Sequence, residues 1–279
     1  MMRNKTTSAA SIANIVVATV LGLLFLLPIL WMIFTSFKTL GEAMSSSGLL
    51  PRLWTTENYA GLFAQSGDAP ILRWIVNTGI VTVFGTLLVV FVDVLAAYAL
   101  ARLKFPGKKL LLVFIVGALT IPGIVTLFPA FYLFKSLGLL DSFVPLIFPY
   151  SAGTLGVFLI YNFLLSFPKE LEEAAYMDGA TQLRVLWSVI FPAIRPAVMT
   201  LSVITFLQIY NDYLWPLLVV SSPEMKTVTV GIASLIQGAN FVNPARMMAS
   251  TVVATIPAVI IFICTNRFFV KGITNSGMK

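Results

Sequence analysis

Apolar residues occur along this chain in six stretches, each long enough to cross a lipid bilayer as an α-helix. A span needs about 20 apolar residues, because each residue of a helix rises by about 1.5 Å. The six predicted spans are residues 12–37, 74–101, 110–134, 143–167, 196–222 and 247–266. We therefore predict an all-α membrane protein with six transmembrane helices.

The overall composition agrees with this prediction. Hydrophobic residues make up 58% of the 279 residues and the mean hydropathy is +0.95, whereas soluble domains are usually about 45–50% apolar. One cysteine and no histidine exclude a disulfide framework, a metal site of the Cys/His type and catalysis by a histidine base. Cys264 lies in an apolar run and is interpreted as a packing residue.

The basic residues are unequally distributed between the two sides of the predicted membrane. If the N-terminus faces the cytoplasm, twelve of the eighteen Lys and Arg residues lie on the cytoplasmic side and six on the other. The twelve are Arg3, Lys5, Arg102, Lys104, Lys108, Lys109, Lys169, Arg184, Arg195, Arg267, Lys271 and Lys279. Short loops that carry an excess of Lys and Arg usually lie on the cytoplasmic side of the membrane. We therefore expect both termini in the cytoplasm, and we attribute the basic residues to membrane orientation rather than to nucleic acid binding.

One stretch, "EEAAYMDGATQLRVLWSVIFPAIRP" at 172–196, concentrates charge in a sequence of which only 10% is charged. Gly179 is placed to provide a left-handed turn between two short helices, and Pro192 and Pro196 are expected to end the second one. The apolar positions of the second helix have the spacing of one helical face and are Leu183, Leu186, Trp187 and Ile190. The pattern indicates a cytoplasmic helix-turn-helix that docks a partner. An amphipathic loop at the membrane surface without a partner is the alternative.

The same stretch resembles the EAA loop of ABC importer permeases, in which Glu-Ala-Ala is followed by three residues, Gly, nine residues and Ile-x-Leu-Pro. Here "EAAYMDGA" and "VIFP" match, with apolar replacements at Val189 and Phe191. The stretches that resemble MalG-like sugar permeases of the carbohydrate-uptake group are "AAYALARLKFPGK" at 96–108, "NDYLWPL" at 211–217, "TVTVGIASL" at 227–235 and "RFFVKGIT" at 267–274. Tyr210 stands where this family often has Trp, and the last residues match the family's tail only in part. The resemblance implies the fold of type I ABC importer permeases.

The resemblance also implies that the loop at about 168–195 is a coupling loop seated in a groove of a cytoplasmic ATPase. The residues that it implies for this contact are Glu173, Ala174, Ala175, Asp178, Gly179 and Pro192. The chain has no Gly-x-x-x-x-Gly-Lys-Ser/Thr phosphate loop. ATP with Mg²⁺ is therefore expected to be used by a separate subunit, while this chain binds no cofactor or metal and catalyses no reaction.

Polar and aromatic residues are mixed in "FLQIYNDYLWP" of the fifth predicted span. The candidates for the substrate path are Tyr210, Asn211, Asp212, Tyr213 and Trp215. Sugars favour such a mixture, because their CH faces stack on aromatic rings and their hydroxyl groups need paired donors and acceptors. Tyr213 and Trp215 could instead belong to the aromatic belt at the membrane surface.

Proline and acidic residues within the spans leave further alternatives open. Pro122, Pro129 and Pro257 are expected to break or kink membrane helices, either as flexible points or as static features of packing. Asp93 and Asp212 are acidic residues inside spans, where a carboxylate is costly to bury. They would couple protons in a secondary transporter, which is the alternative function, or hold neighbouring helices by hydrogen bonds. A channel filter and an intramembrane active site are not evident in the sequence.

We therefore expect residues 1–11 to form a cytoplasmic N-terminus, 12–274 a single permease domain and 275–279 a cytoplasmic tail. The expected function is import of a sugar, of di- or oligosaccharide size, across a bacterial or archaeal cytoplasmic membrane. By resemblance to the family, the expected partners are a second, MalF-like permease, two ATPase subunits and an external sugar-binding protein. Membrane lipid surrounds the spans, and no nucleic acid partner is expected.

Overall fold

The structure of the chain, a computed structural model, describes residues 9–45, 48–63, 70–237 and 243–276, without the side chains of residues 9–12, 152, 236–237 and 265–276. The predicted N-terminal segment 1–11 and the predicted tail 275–279 therefore lie largely outside the described residues.

Regular structure in the described residues is helical, and no strand occurs among them, which confirms the predicted all-α class. In chain order the helices are α1 Ala9–Ser36, α2 Leu40–Met44, α3 Glu57–Phe63, α4 Ile71–Arg102, α5 Lys108–Ala118, α6 Gly123–Ser136, α7 Phe143–Ile147, α8 Leu155–Leu165, α9 Glu170–Met177, α10 Gln182–Val185, α11 Phe191–Asn211, α12 Leu214–Val219, α13 Val228–Gln237 and α14 Pro244–Ser276. Two 3₁₀ turns lie at Phe148–Ala152 and Pro223–Met225, and a π turn lies at Leu186–Ile190.

Five helical segments of the described residues are long and apolar enough to cross a membrane, and a sixth is counted if one bent pair forms a single span. The bent pair is α5 and α6, whose axes differ by 103°. Pro122 lies at this bend with an extended backbone, φ −60° and ψ 130°, and precedes the first residue of α6. The expectation of a break at Pro122 is confirmed, whereas Pro129 and Pro257 lie inside α6 and α14 and end neither helix.

The predicted fifth span at 196–222 is wrong at both ends. The helix begins earlier, because the segment Gln182–Asn211 is continuous and passes through Pro192 and Pro196. In the π turn, the Phe191 N–H donates to the Leu186 carbonyl five residues back. This turn is wider than an α-helical turn, and the helix continues from it through Pro192 and Pro196. The helix also ends earlier, because the backbone leaves the helical conformation at Asp212, with ψ 135°.

The described residues divide into two compact units, residues 1–71 with 232–256 and residues 72–231 with 257–279. In the first unit, the segment after α1 folds back onto the end of that helix. The Asn58 amide donates to the carbonyl oxygens of Ser36 and Lys38, each at 2.9 Å. The Arg246 guanidinium donates to the Gly61 carbonyl at 2.7 Å. These side chains satisfy backbone carbonyls at or just beyond the C-terminal ends of α1 and α3.

The core of the second unit joins the end of α4 to the helix-turn-helix region. The buried apolar side chains of this core are Val94, Ala97, Tyr98, Leu100, Val157, Ile160, Leu164, Val185, Leu186, Ile190, Ile194, Ala197, Val198 and Leu201. They come from α4, α8, α10, the π turn and α11. The predicted loop at 168–195 is therefore part of a packed core and not a separate surface segment.

A set of polar contacts holds the segment between α12 and α13. The Asp141 carboxylate, on a residue with φ +58°, accepts hydrogen bonds from the Ser221 and Ser222 backbone N–H groups at 3.1 and 3.0 Å. Partial burial raises the pKa of this carboxyl, but the hydrogen bonds lower it more, and the net pKa lies below its ordinary value. The Trp74 indole N–H donates to the Pro223 carbonyl at 2.8 Å.

Gly231 on α13 lies directly against the buried Trp74 indole, so that a Cβ at this position would overlap ring atoms. We expect Gly231→Ala to destabilise the protein by about 1–3 kcal/mol, because a rigid, hydrogen-bonded ring cannot move away without strain. Thermal unfolding of the detergent-purified protein would show this as a lower Tm. Gly79→Ala on α4 is the matched control, since the described structure has no heavy atom within 4 Å of the added Cβ. Equal Tm values for the two variants would contradict this packing.

Candidate functional site

The helix-turn-helix consists of α9, a turn at Gly179 and α10. Gly179 has φ +81°, which confirms the predicted left-handed turn. The Thr181 hydroxyl accepts a hydrogen bond from the Arg184 N–H at 3.4 Å and so caps the start of α10. No heavy atom of the described structure lies within 4 Å of a Cβ added at Gly179, so the backbone conformation, and not a lack of space, restricts this position.

The predicted coupling residues surround this turn on an accessible surface. Glu173, Ala174, Asp178 and Gly179 are exposed, and Ala175 is half-buried against the core. Pro192 is exposed on the continuous helix, about one π turn beyond α10. An exposed carboxylate pair beside small side chains offers both charge and close approach to a partner surface.

The predicted apolar stripe on the second helix is wrong as a single face. Leu186 and Ile190 are completely buried in the core, whereas Leu183 is 65% exposed and Trp187 is also exposed. The residues separate into two pairs because positions four apart lie on the same face of a helix. The exposed pair adds to Met177, which is 88% exposed. The loop therefore presents large apolar side chains to its surroundings as well as charge.

A second polar feature lies where α11 ends. The Tyr150 hydroxyl donates to the Asp212 carboxylate at 2.7 Å, and the Thr229 hydroxyl donates to the Asp212 carbonyl at 2.7 Å. These two partners were not among the predicted site residues, since nothing in their sequence neighbourhoods distinguishes them from other Tyr and Thr residues. They hold a helix break of the kind that a membrane protein tolerates only where side chains satisfy the freed backbone.

The five predicted path residues have different surroundings. Tyr210 and Trp215 are buried, and the Trp215 indole N–H donates to the Pro145 carbonyl at 2.6 Å. Asn211 is exposed, and Asp212 and Tyr213 are half-buried. The structure thus brings all five to the break between α11 and α12, but it leaves Asn211 as the accessible member.

Asp93 lies deep in the helix packing. It is a buried residue of α4, and its carboxylate lies directly against Gly156 of α8. Neither carboxylate oxygen has a hydrogen-bond partner among the described residues. The interpretation that Asp93 holds a neighbouring helix by hydrogen bonds is therefore not supported, although the residue does contact that helix closely through Gly156.

Comparison with known families identifies the chain. A family model described as "Binding-protein-dependent transport system inner membrane component" matches residues 93–275, which include the helix-turn-helix and the helix break at Asp212. The chain belongs to this family. It is a multi-pass membrane protein and a non-catalytic permease subunit of an ABC importer, in which a separate subunit hydrolyses ATP.

Three relatives that are named as permease proteins of transport systems are similar over nearly the whole chain. The sulfoquinovosyl glycerol transport system permease protein SmoH of Agrobacterium fabrum is 34% identical over 95% of this chain and 92% of its own length. The trehalose/maltose transport system permease protein MalG of Thermococcus litoralis is 31% identical over 95% of both chains. The arabinooligosaccharides transport system permease protein AraQ of Bacillus subtilis is 30% identical over 93% of this chain and 92% of its own length.

The fold is similar to that of solved importers. A chain in the crystal structure of a bacterial ABC transporter that imports the acidic polysaccharide alginate superposes with a TM-score of 0.83 at 22% identity, over 96% of this chain and 99% of that chain. A chain of the bacterial alginate ABC transporter in complex with its alginate pentasaccharide-bound periplasmic protein gives a TM-score of 0.64 at 17% identity, over 92% of both. The predicted ABC importer permease fold is thus confirmed.

Proposed function

We propose that the chain imports a sugar, of di- or oligosaccharide size, and that the surface around Gly179 is the site at which an ATPase subunit drives transport. The surface is defined as Glu173, Met177, Asp178, Gly179 and Leu183. The observation that supports this proposal most strongly is that these residues are exposed, whereas Val185 and Leu186, which follow the turn, are completely buried in the core. A force on the turn would therefore reach the membrane helices.

The chemistry of this surface fits a protein partner. Met177 and Leu183 provide exposed apolar side chains beside two carboxylates, and an interface with an apolar centre and a polar rim has this composition. The excess of Lys and Arg on the same side of the predicted membrane, twelve against six, supports a cytoplasmic location for the turn and for both termini. Ala174 and Ala175 permit close approach of the partner backbone.

The rest of the assembly follows from the family. We propose a second, MalF-like permease beside this chain, two ATPase subunits that bind ATP and Mg²⁺, and an external protein that delivers the sugar, all at a bacterial or archaeal cytoplasmic membrane. The apolar helix Ala13–Ser36 is exposed from residue 13 to residue 31 in the single chain, so lipid or the second permease must cover it. The transport systems to which SmoH, MalG and AraQ belong are all named for sugar compounds, which supports a sugar as substrate.

We place the sugar path at the break between α11 and α12. Asn211 exposes an amide, and the neighbouring Asp212 carboxylate, half-buried and held by Tyr150, is a fixed acceptor. Fixed acceptors beside aromatic rings suit sugar hydroxyl groups and CH faces. Proton coupling through Asp93 or Asp212 is not favoured, because members of the family draw on ATP hydrolysis by a separate subunit.

Substitution of Gly179 tests the docking proposal. Gly179→Val should cost about 1–3 kcal/mol in the turn, because a β-branched residue is strained at positive φ. We expect the variant to insert in the membrane and pair with the second permease, but to lose co-purification of the ATPase or ATP-driven uptake. Gly179→Asn is the matched control, since Asn tolerates the left-handed conformation, and it should retain uptake.

A charge reversal tests the same surface without altering the backbone. Glu173→Lys should weaken ATPase recruitment, because a like or unpaired charge at an interface lowers affinity. If Gly179→Val and Glu173→Lys both bind the ATPase and transport sugar at the parental rate, the proposal is refuted and the turn is only a surface loop.

Two alanine variants distinguish a residue that contacts the sugar from a residue that only packs in the protein interior. Asn211→Ala should leave the Tm unchanged but lower uptake across a panel of labelled di- and oligosaccharides, because its exposed amide lies on the proposed path. Trp215→Ala should lower stability by about 3–5 kcal/mol, since the indole is buried and hydrogen-bonded. Normal uptake by Asn211→Ala for every sugar that the parental protein transports would remove Asn211 from the path.

A further inference from the structure

A buried ion pair connects the end of α4 to the first turn of α9. The Arg102 Nε donates to the Glu172 Oε1 at 2.6 Å, and both side chains are only 6% exposed. A second nitrogen of the same guanidinium donates to the Phe167 carbonyl at 3.1 Å. One Arg side chain thus makes two contacts. It binds the segment just after α8, and it also binds the first turn of α9 in the coupling loop.

The two adjacent glutamates of the loop have opposite environments. Glu173 is exposed on the proposed docking surface, whereas Glu172 is buried and faces the protein interior. Exposed ion pairs contribute little, but a buried pair leaves an uncompensated charge when either partner is removed. The Arg102 fork, with donors in a fixed plane, can hold the carboxylate and the carbonyl together. Glu172 therefore connects the loop to the membrane core, and not to the ATPase.

A second contact lies one helical turn away on both helices. The hydroxyl groups of Tyr98 on α4 and Tyr176 on α9 are 3.3 Å apart, and the Tyr98 hydroxyl lies 3.5 Å from the Gln182 carbonyl at the start of α10. Residues 98 and 102 are four apart, as are 172 and 176, so both pairs lie on facing sides of the two helices. Two contacts one turn apart set the register between α4 and the coupling loop.

The chain path shows why such contacts are needed. The coupling loop follows α8 directly, and α10 continues into α11 through the π turn, so movement of the loop reaches those helices through the backbone. Helix α4 ends about seventy residues earlier and has no direct backbone connection to the loop. Apolar packing around Val185 and Leu186 also touches α4, but it is non-directional and does not prevent sliding.

We propose that Arg102 and Tyr98, with Glu172 and Tyr176, are positioning residues that make α4 move together with the coupling loop when the ATPase displaces it. We call these four residues the α4 clamp. The inference rests on the proposed docking of the ATPase at Gly179, and it adds the step by which the displacement reaches a helix that the loop does not continue into.

Spin-label distances in the purified complex of both permeases and the ATPase test the clamp without knowledge of the sugar. Labels are attached at Lys104→Cys, just after α4, and Lys169→Cys, just before α9, on a Cys264→Ser background; both lysines are exposed. Electron paramagnetic resonance then compares the nucleotide-free complex with the complex trapped by ATP and vanadate. The clamp predicts one narrow distance distribution that is the same in both states.

Reversal of one charge of the Arg102–Glu172 pair should change the distance distribution, and exchange of the two charges should reduce that change. In Arg102→Glu or Glu172→Arg, the distribution should broaden, and its mean should shift on trapping. The double variant R102E/E172R restores the ion pair but not the Phe167 contact, so its distribution should be narrower and less shifted than that of either single reversal; Lys109→Glu, an exposed reversal outside the clamp, should match the parental protein. A parental distance that shifts on trapping, or a single reversal that leaves the distribution unchanged, would overturn the proposal.

If a single charge reversal prevents assembly of the complex, two milder substitutions test the α4 clamp instead. Arg102→Lys keeps the charge but cannot hold Glu172 and the Phe167 carbonyl in one plane, and Tyr98→Phe removes only a hydroxyl group. Each should broaden the distribution while the ATPase remains bound, and parental distributions in both would refute the clamp. Failure of the parental chain to retain the ATPase would instead contradict the proposed docking, so the two failures are distinguishable.

Discussion

The constraint on which the rest of this structure depends is that backbone polar groups inside a bilayer must be satisfied within the protein. It explains why the described spans of the chain are helical. It also explains why polar side chains form hydrogen bonds where a helix ends. Tyr150 and Thr229 hold the break at Asp212, and Asp141 holds the backbone beyond α12. Irregular backbone therefore occurs where it can position polar groups, including those of the proposed sugar path.

The coupling loop illustrates how one short segment can serve both the membrane core and an external partner. Its inward residues, Val185, Leu186 and Ile190, are completely buried with α4 and α8. Its outward residues include Met177 and Glu173. The division arises from helical periodicity, which places residues three or four apart on one face and the residues between them on other faces. A partner that moves the outward face therefore acts, through the backbone, on α8 and α11, the helices that flank the loop in the chain.

Much of this organisation was predictable from the sequence, but some of it depended on tertiary context. The apolar runs, the break at Pro122 and the left-handed turn at Gly179 follow from local chemistry. The continuation of a helix through Pro192 and Pro196 did not, because a π turn changes the local hydrogen bonding. The role of Glu172 was also hidden, since only its distant partner Arg102 distinguishes it from Glu173 beside it.

The most direct test of the account is whether the exposed residue at the turn touches the ATPase. A photoreactive benzoylphenylalanine replaces Met177 in the assembled complex in membranes, and the same group replaces the exposed Phe128 on α6 as a control. After irradiation, peptide mass spectrometry identifies what is joined to the chain. Docking of the ATPase at the turn should give an adduct with the ATP-hydrolysing subunit from position 177 and none from position 128. If complexes that retain the ATPase gave no such adduct from position 177, the turn would not be the docking site.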